Sequence, residues 1–176
     1  MPTLVIIDMQ EKFGTPNNPR TIAACEREIE YAINNGDYIV FLEYQGYGPT
    51  LPVLVEKTKN YNLVSFISKN FNDGGQEVFN EIKNNSEFLC EIRVCGVNAS
   101  ACVNETVITL NKLLESTPIV LIADAINCNL SKQQQPEIDT EEHIRMMVKS
   151  LKYISYYNER IVIANQEHLP FLNKSA

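Results

Sequence analysis

Six short apolar runs, rich in β-branched residues and separated by polar or helix-period stretches, limit what this chain can fold into more than any other feature. They are residues 3–8 (TLVIID), 38–44 (YIVFLEY), 61–68 (YNLVSFIS), 90–96 (CEIRVCG), 118–125 (PIVLIADA) and 160–165 (RIVIAN). Near-continuous apolar character, rather than strict alternation, is what a strand needs when both faces of its sheet are covered. Between the runs, residues 19–34, 75–85, 101–116 and 136–154 read as helices. NNG at 34–36 stops the first of these. Acidic residues crowd the opening turns of the last, where the helix dipole favours them. Such alternation predicts an α/β fold built on a six-stranded, mostly parallel sheet with helices on both faces. Residues 45–60, QGYGPTLPVLVEKTKN, join two strands without a clear helix, and their glycines and prolines predict a loop. A second loop is expected over 126–136, with the polar tract SKQQQP. No repeat and no compositional break divides the sequence, so one domain over residues 1–176 is expected, long enough to bury a full core.

Charge and cysteine usage narrow the classes of partner. The chain has 15 Lys+Arg against 22 Asp+Glu, a net charge of −7, with no basic run to track phosphates, which argues against nucleic acid. The longest apolar stretches are far below the ~20 residues that span a bilayer, and PIVLIADAI carries a carboxylate, so no membrane partner is expected. The opening MPTLVIIDMQ has no positive region ahead of its apolar run, which Asp8 interrupts, unlike a signal peptide. Five cysteines (Cys25, Cys90, Cys95, Cys102, Cys128) are odd in number and lack metal-type spacing, which fits free thiols in a reducing cytoplasm.

Ligands of open α/β sheets bind beyond the carboxyl ends of the strands, so the residues there are the ones to inspect. Asp8 follows the first run, Lys69 the third, and GVNASAC, ending in Cys102, the fourth. A carboxylate, an ammonium and a thiol are thus expected on one sheet edge. Only a thiolate attacks, and a free thiol has a pKa near ~8.5. A helix start and a nearby lysine both lower that value, and a carboxylate can take the proton. Cys102 is expected to feel all three, with backbone N–H groups at the same helix start able to hold an oxyanion. Each residue alone has a plainer explanation: a core cysteine, a helix-capping carboxylate, a solvated lysine.

The motifs resemble, in order and over nearly the whole chain, those of the isochorismatase-like cysteine hydrolases, a family that includes nicotinamidases, N-carbamoylsarcosine amidohydrolases, biuret hydrolases and isochorismatases. LVIIDMQEKF resembles the family's first-strand motif and VCGVNASACVNETV its glycine-to-nucleophile segment. VLIADA resembles the strand that follows, and EEHIRMMVKSL the late helix. The resemblance implies a single-domain, three-layer α/β/α, Rossmann-like fold. It assigns Asp8 as general base, Lys69 as the triad lysine and Cys102 as nucleophile. It places a cis peptide at Val97–Asn98, with the N–H groups of Asn98 and Cys102 as the oxyanion hole. Phe13 matches an aromatic that lines the pocket, and Tyr44, Tyr47 and Phe71 are further candidates for its walls. Family likeness also implies no cofactor, a small-molecule substrate, a cytoplasmic enzyme, and a homo-oligomer, dimer or tetramer.

Departures from the family narrow the activity. Nicotinamidases hold a metal with an Asp-x-His pair and a further His, whereas this chain has FLEYQGYG at that place and only His143 and His168, both far downstream. A His-based metal site is therefore not expected, and His143 is expected to pack or cap on its helix. After Lys69, NFNDGG replaces the family's small residue and phenylalanine, which predicts a wider or more mobile pocket edge. Some isochorismatases lack the cysteine, so its retention favours covalent attack on a small amide or carbamoyl-type C–N bond. Two alternatives stay open: vinyl ether hydrolysis of the isochorismatase type, with Asp8 as acid, and a non-catalytic binding or assembly protein of the same fold.

Overall fold

The computed structural model describes residues 1–85, 89–128 and 138–172. Six strands form one sheet: β1 (Thr3–Ile7), β2 (Tyr38–Tyr44), β3 (Val64–Lys69), β4 (Ile92–Gly96), β5 (Ile119–Ile126) and β6 (Ile161–Ala164). All are parallel, in the order β3-β2-β1-β4-β5-β6. Five α-helices run between them: α1 (Pro19–Asn35), α2 (Pro52–Lys57), α3 (Gly75–Asn85), α4 (Cys102–Leu113) and α5 (Glu141–Ser155).

Alternation along β1 divides the core into two layers. Val5 and Ile7 face one layer, with Val78 and Ile82 of α3, Val103, Val107 and Leu110 of α4, and Ile144, Met147 and Leu151 of α5. Leu4 and Ile6 face the other, with Ala24, Cys25 and Ile29 of α1 and Leu54 of α2. The whole of β1 is buried, as its unbroken apolar sequence requires. Chain punctuation fixes the helix between β1 and β2: the Asn18 side chain accepts from Thr21 N at 3.2 Å, Pro19 occupies the first helical position, and Gly36 closes the end at φ 71°.

Three details depart from the sequence expectation. Residues 45–60 contain α2, a six-residue helix entered by Pro52 and held by burial of Leu54; one apolar anchor leaves too little periodicity to read. β5 runs on to Ile126, its eight residues all buried. α5 begins at Glu141, where Thr140 accepts from His143 N, rather than at 136. Positions 129–136 of the expected second loop, and the first two residues of the expected last helix, lie outside the described residues. All five cysteines are free thiols. Among the described residues, no helix is long and apolar enough to cross a membrane.

Strand order changes direction at β1, which sends the chain outward to β2 and then β3 before it returns to β4 on the other side. Ligands of open parallel sheets bind in the crevice at such a reversal. Register brings Ile7, Leu42 and Gly96 abreast at this edge, so the residues that follow them share one crevice.

Candidate active site

Asp8 leaves β1 with φ 52°, a conformation uncommon for a side chain with a Cβ. Its N–H donates to Leu42 O at 2.8 Å, which fixes the turn against the neighbouring strand. Two residues on, Gln10 clamps the facing loop: Tyr44 N donates to Oε1 at 2.8 Å, while Nε2 donates to Tyr44 O at 3.1 Å and to Gly48 O.

On the other side of β1, Gly96 ends β4 at φ 112°. A Cβ there would stand 2.1 Å from Ile7 O, so only glycine lets the two strand ends meet. Val97 N then donates to Ile7 O at 2.9 Å, and the Val97–Asn98 peptide bond is cis, where the family resemblance puts it. Ala101 N and Val103 N both donate to Asn98 O, at 3.0 and 3.1 Å, and so wind the turn that delivers Cys102 as the first residue of α4. An opening N–H of a helix has no acceptor within the helix and is available to an anion.

Lys69, the last residue of β3, reaches the same point across β2. Its side chain is 0% exposed and its Nζ lies 2.9 Å from Asp8 Oδ2, itself 0% exposed. Nζ also donates to Asn72 O at 2.8 Å and sits 5.1 Å from the centre of the Tyr44 ring. The Asp8 contact is close but off the hydrogen-bonding axis, and both Asp8 oxygens are buried without a hydrogen bond of full geometry among the described residues. The stem of Lys69 lies against Gly74, whose missing Cβ would meet Lys69 Cδ at 2.8 Å and Leu42 Cδ2 at 2.6 Å. Gly74 thus lets the β3–α3 loop lie close on the lysine stem, with Gly74 N donating to Thr106 Oγ1 at 3.0 Å.

Asp8, Lys69 and Cys102 thus converge, and the carboxyl and thiol perturb one another. Burial pushes the Asp8 carboxyl above its usual range, against the opposing pull of the Lys69 charge and the Cys102 thiol. Burial, followed by the Asp8 charge, pushes the Cys102 thiol from 9.0 to about 11, with Lys69 pulling the other way. The sequence reading had the sign reversed. It counted the helix start and the lysine, both of which favour thiolate, but not the water lost when the sulfur is buried.

The candidate wall residues separate. Phe13 and Tyr47 stack at 4.2 Å with their rings nearly parallel, and Tyr44 meets both edge-on at 6.0 and 5.2 Å. Phe71 is 75% exposed and is not part of that aromatic cluster. His143 packs on α5, its buried ring bonded through Nε2 to Cys128 O at 2.9 Å. Where nicotinamidases place a metal-binding pair, the Glu43 carboxylate accepts from Thr50 N at 2.7 Å and Thr50 Oγ1 at 2.8 Å, which engages it in the loop. Among the described residues, no group of three or more His, Cys, Asp or Glu is arranged to hold a metal.

The sequence reading missed Asn72. Its side-chain oxygen accepts the Cys102 thiol at 3.7 Å, and its Nδ2 donates to Glu105 Oε1 at 3.1 Å. NFNDGG gave no signal for this, because an asparagine in a loop acquires a role only once the loop's path is known.

The fold is that of the isochorismatase-like hydrolases. It is similar to an isochorismatase from Pseudomonas putida (TM-score 0.72, 15% identity, covering 96% of this chain and 89% of that one). It is also similar to a pyrazinamidase/nicotinamidase from Streptococcus mutans (TM-score 0.66, 18% identity, 93% and 99% covered). A third solved structure, titled a MAR1 ribonuclease, from Caenorhabditis elegans, matches at TM-score 0.69 and 18% identity, with 94% and 77% covered. No protein-family model and no curated protein sequence matches the chain.

Proposed function

We propose that this chain is a cysteine hydrolase that cleaves a small amide or carbamoyl-type C–N bond through a thioester. The observation that carries the reading is the meeting of Asp8, Lys69 and Cys102 in one buried cluster at the strand-order reversal. Ionised Asp8 accepts the Cys102 thiol proton, and Lys69 at 2.9 Å stabilises the charge on whichever partner holds it. A carboxyl raised by burial suits this work, because its basicity moves toward neutral pH. Sulfur attacks the carbonyl carbon, and the oxyanion is received by the N–H groups of Asn98 and Cys102. Asp8 then returns the proton to the departing nitrogen, which leaves as ammonia or an amine. The same carboxylate activates the water that hydrolyses the thioester. The stacked Phe13 and Tyr47, with Tyr44, supply an apolar wall beside the reacting centre.

A panel of small amides and carbamoyl compounds, read by ammonia release, tests this. The wild type turns over at least one member, and Cys102→Ala loses turnover by three orders of magnitude or more, on the scale of removing an activated nucleophile, with its thermal melt retained. Full activity in Cys102→Ala would overturn the assignment.

The raised Asp8 carboxyl favours a second reading, in which Asp8 acts as an acid on a vinyl ether and no nucleophile is used. Iodoacetamide separates the two: alkylation of Cys102 ends amide turnover, whereas acid-only chemistry survives the Cys102→Ala change.

A further inference from the structure

Asn72 contacts both Cys102 and Lys69 yet belongs to none of the motifs that located them. It lies three residues beyond Lys69, in the loop that leads to α3, and is exposed at the mouth of the cluster. Its main chain is fixed by two donors, Lys69 Nζ at 2.8 Å and Thr106 Oγ1 at 3.5 Å. The orientation of its side chain is fixed by chemistry. A carboxylate only accepts, so the amide must turn its NH2 toward Glu105, 3.1 Å away in the first turn of α4. The amide oxygen is then left pointing at the sulfur, 3.7 Å away. Glu105 and Cys102 lie three apart on α4 and therefore share one helix face, which lets a single amide bridge them.

We propose that Asn72 is a positioning residue for the nucleophile: its side-chain oxygen, aimed by Glu105, holds the Cys102 S–H in a fixed direction while its main-chain oxygen holds the Lys69 ammonium. Asn72 Oδ1 accepts the S–H, and the Asp8 carboxylate is the neighbouring group that can take the proton. Only transfer to Asp8 breaks the S–H bond, forming the carboxyl O–H and leaving the electron pair on sulfur; Asn72 binds the proton without taking it. Asn72 therefore stabilises the un-ionised thiol and sets the rotamer from which sulfur attacks. This deepens the hydrolase reading of the same site, but its measurement needs no substrate.

The test is the pH profile of Cys102 alkylation by iodoacetamide, followed by mass spectrometry of the Cys102 peptide so that exposed Cys90 does not contribute. Asn72→Ala removes the acceptor. It is expected to lower the apparent pKa of Cys102 by roughly 0.5–1 unit, with alkylation about fivefold faster on the rising limb, the scale of one modest hydrogen bond. Asn72→Asp sets a second carboxylate beside the sulfur and is expected to move the pKa upward. Glu105→Gln frees the amide to turn its NH2 to the sulfur and is expected to shift the pKa in the same direction as Asn72→Ala. A purely structural role would change the plateau rate through accessibility and leave the midpoint unmoved. Coincident midpoints in wild type, Asn72→Ala and Asn72→Asp overturn the proposal. Opposite shifts in the two Asn72 variants from a protein that hydrolyses nothing on the amide panel would uphold it and reject the hydrolase reading alone.

Discussion

A lysine and an aspartate with no exposed side-chain surface, 2.9 Å apart, are costly to desolvate and are held by each other. Among the described residues, Asn72 O is the one further acceptor of the ammonium, and neither Asp8 oxygen gains a hydrogen bond of full geometry. Removal of one partner strands the other charge in a dry site. Asp8→Asn and Lys69→Met are each expected to cost about 3–5 kcal/mol of stability, while the double variant costs less than either. Urea titration of the four proteins checks this; a double variant as unstable as the sum of the singles would show that the charges are solvated or otherwise paired. The meeting of Asp8, Lys69 and Cys102 was legible in the sequence because they stand at the ends of apolar runs, and strand ends are where a parallel sheet gathers its ligands. Asn72 was not, and neither was the sign of the thiol's shift, since both depend on which atoms exclude water from the sulfur.

At the scale of elements, two glycines decide how the site is assembled, and they decide it differently. Gly96 faces main chain: a Cβ would lie 2.1 Å from Ile7 O, with φ 112° adding strain. Gly74 faces the ends of two flexible side chains, Leu42 and Lys69. Gly96→Ala is therefore expected to lose on the order of 3 kcal/mol or more, because the β1–β4 junction itself must open. Gly74→Ala is expected to cost about 1–2 kcal/mol, since side chains can turn away, but to displace the Lys69 stem and reduce turnover more than stability. Chemical denaturation beside ammonia release distinguishes them, and equal stability losses would mean that the β4 end is not held against β1. Strand and helix succession was readable because buried parallel strands need unbroken apolar runs and their crossover helices a 3.6-residue period. What escaped was α2, too short for a period, and the glycine pair at 74–75, whose tight closure depends on the lysine stem that fills the space.

Across the whole molecule, the buried cysteines link stability to pH. Burial raises the Cys102 thiol from 9.0 to about 11 and the Cys128 thiol to about 12, and it raises Cys95, between α1 and the sheet, well above its ordinary value. Each folded-state value exceeds the unfolded one, so the native state keeps protons that the unfolded chain sheds. The stabilisation is complete below pH 9 and is lost as pH climbs through the folded values. The slope approaches about 1.4 kcal/mol per pH unit for each thiol in its window. For Cys102 alone the loss between pH 9 and 11 is on the order of 2–3 kcal/mol. A net charge of −7 at neutrality grows over the same range and adds self-repulsion, so a fall in stability by itself identifies nothing. The informative quantity is the difference between proteins. From pH 8 to pH 10 the urea midpoint is expected to fall less in the double variant Cys102→Ala/Cys128→Ala than in the wild type, whatever packing the double variant has lost at pH 8. Equal falls would mean that these sulfurs are no more reluctant to ionise in the folded protein than in the unfolded chain. In that event burial would not oppose ionisation of Cys102, and its thiol would lose its proton near the ordinary value of about 8.5.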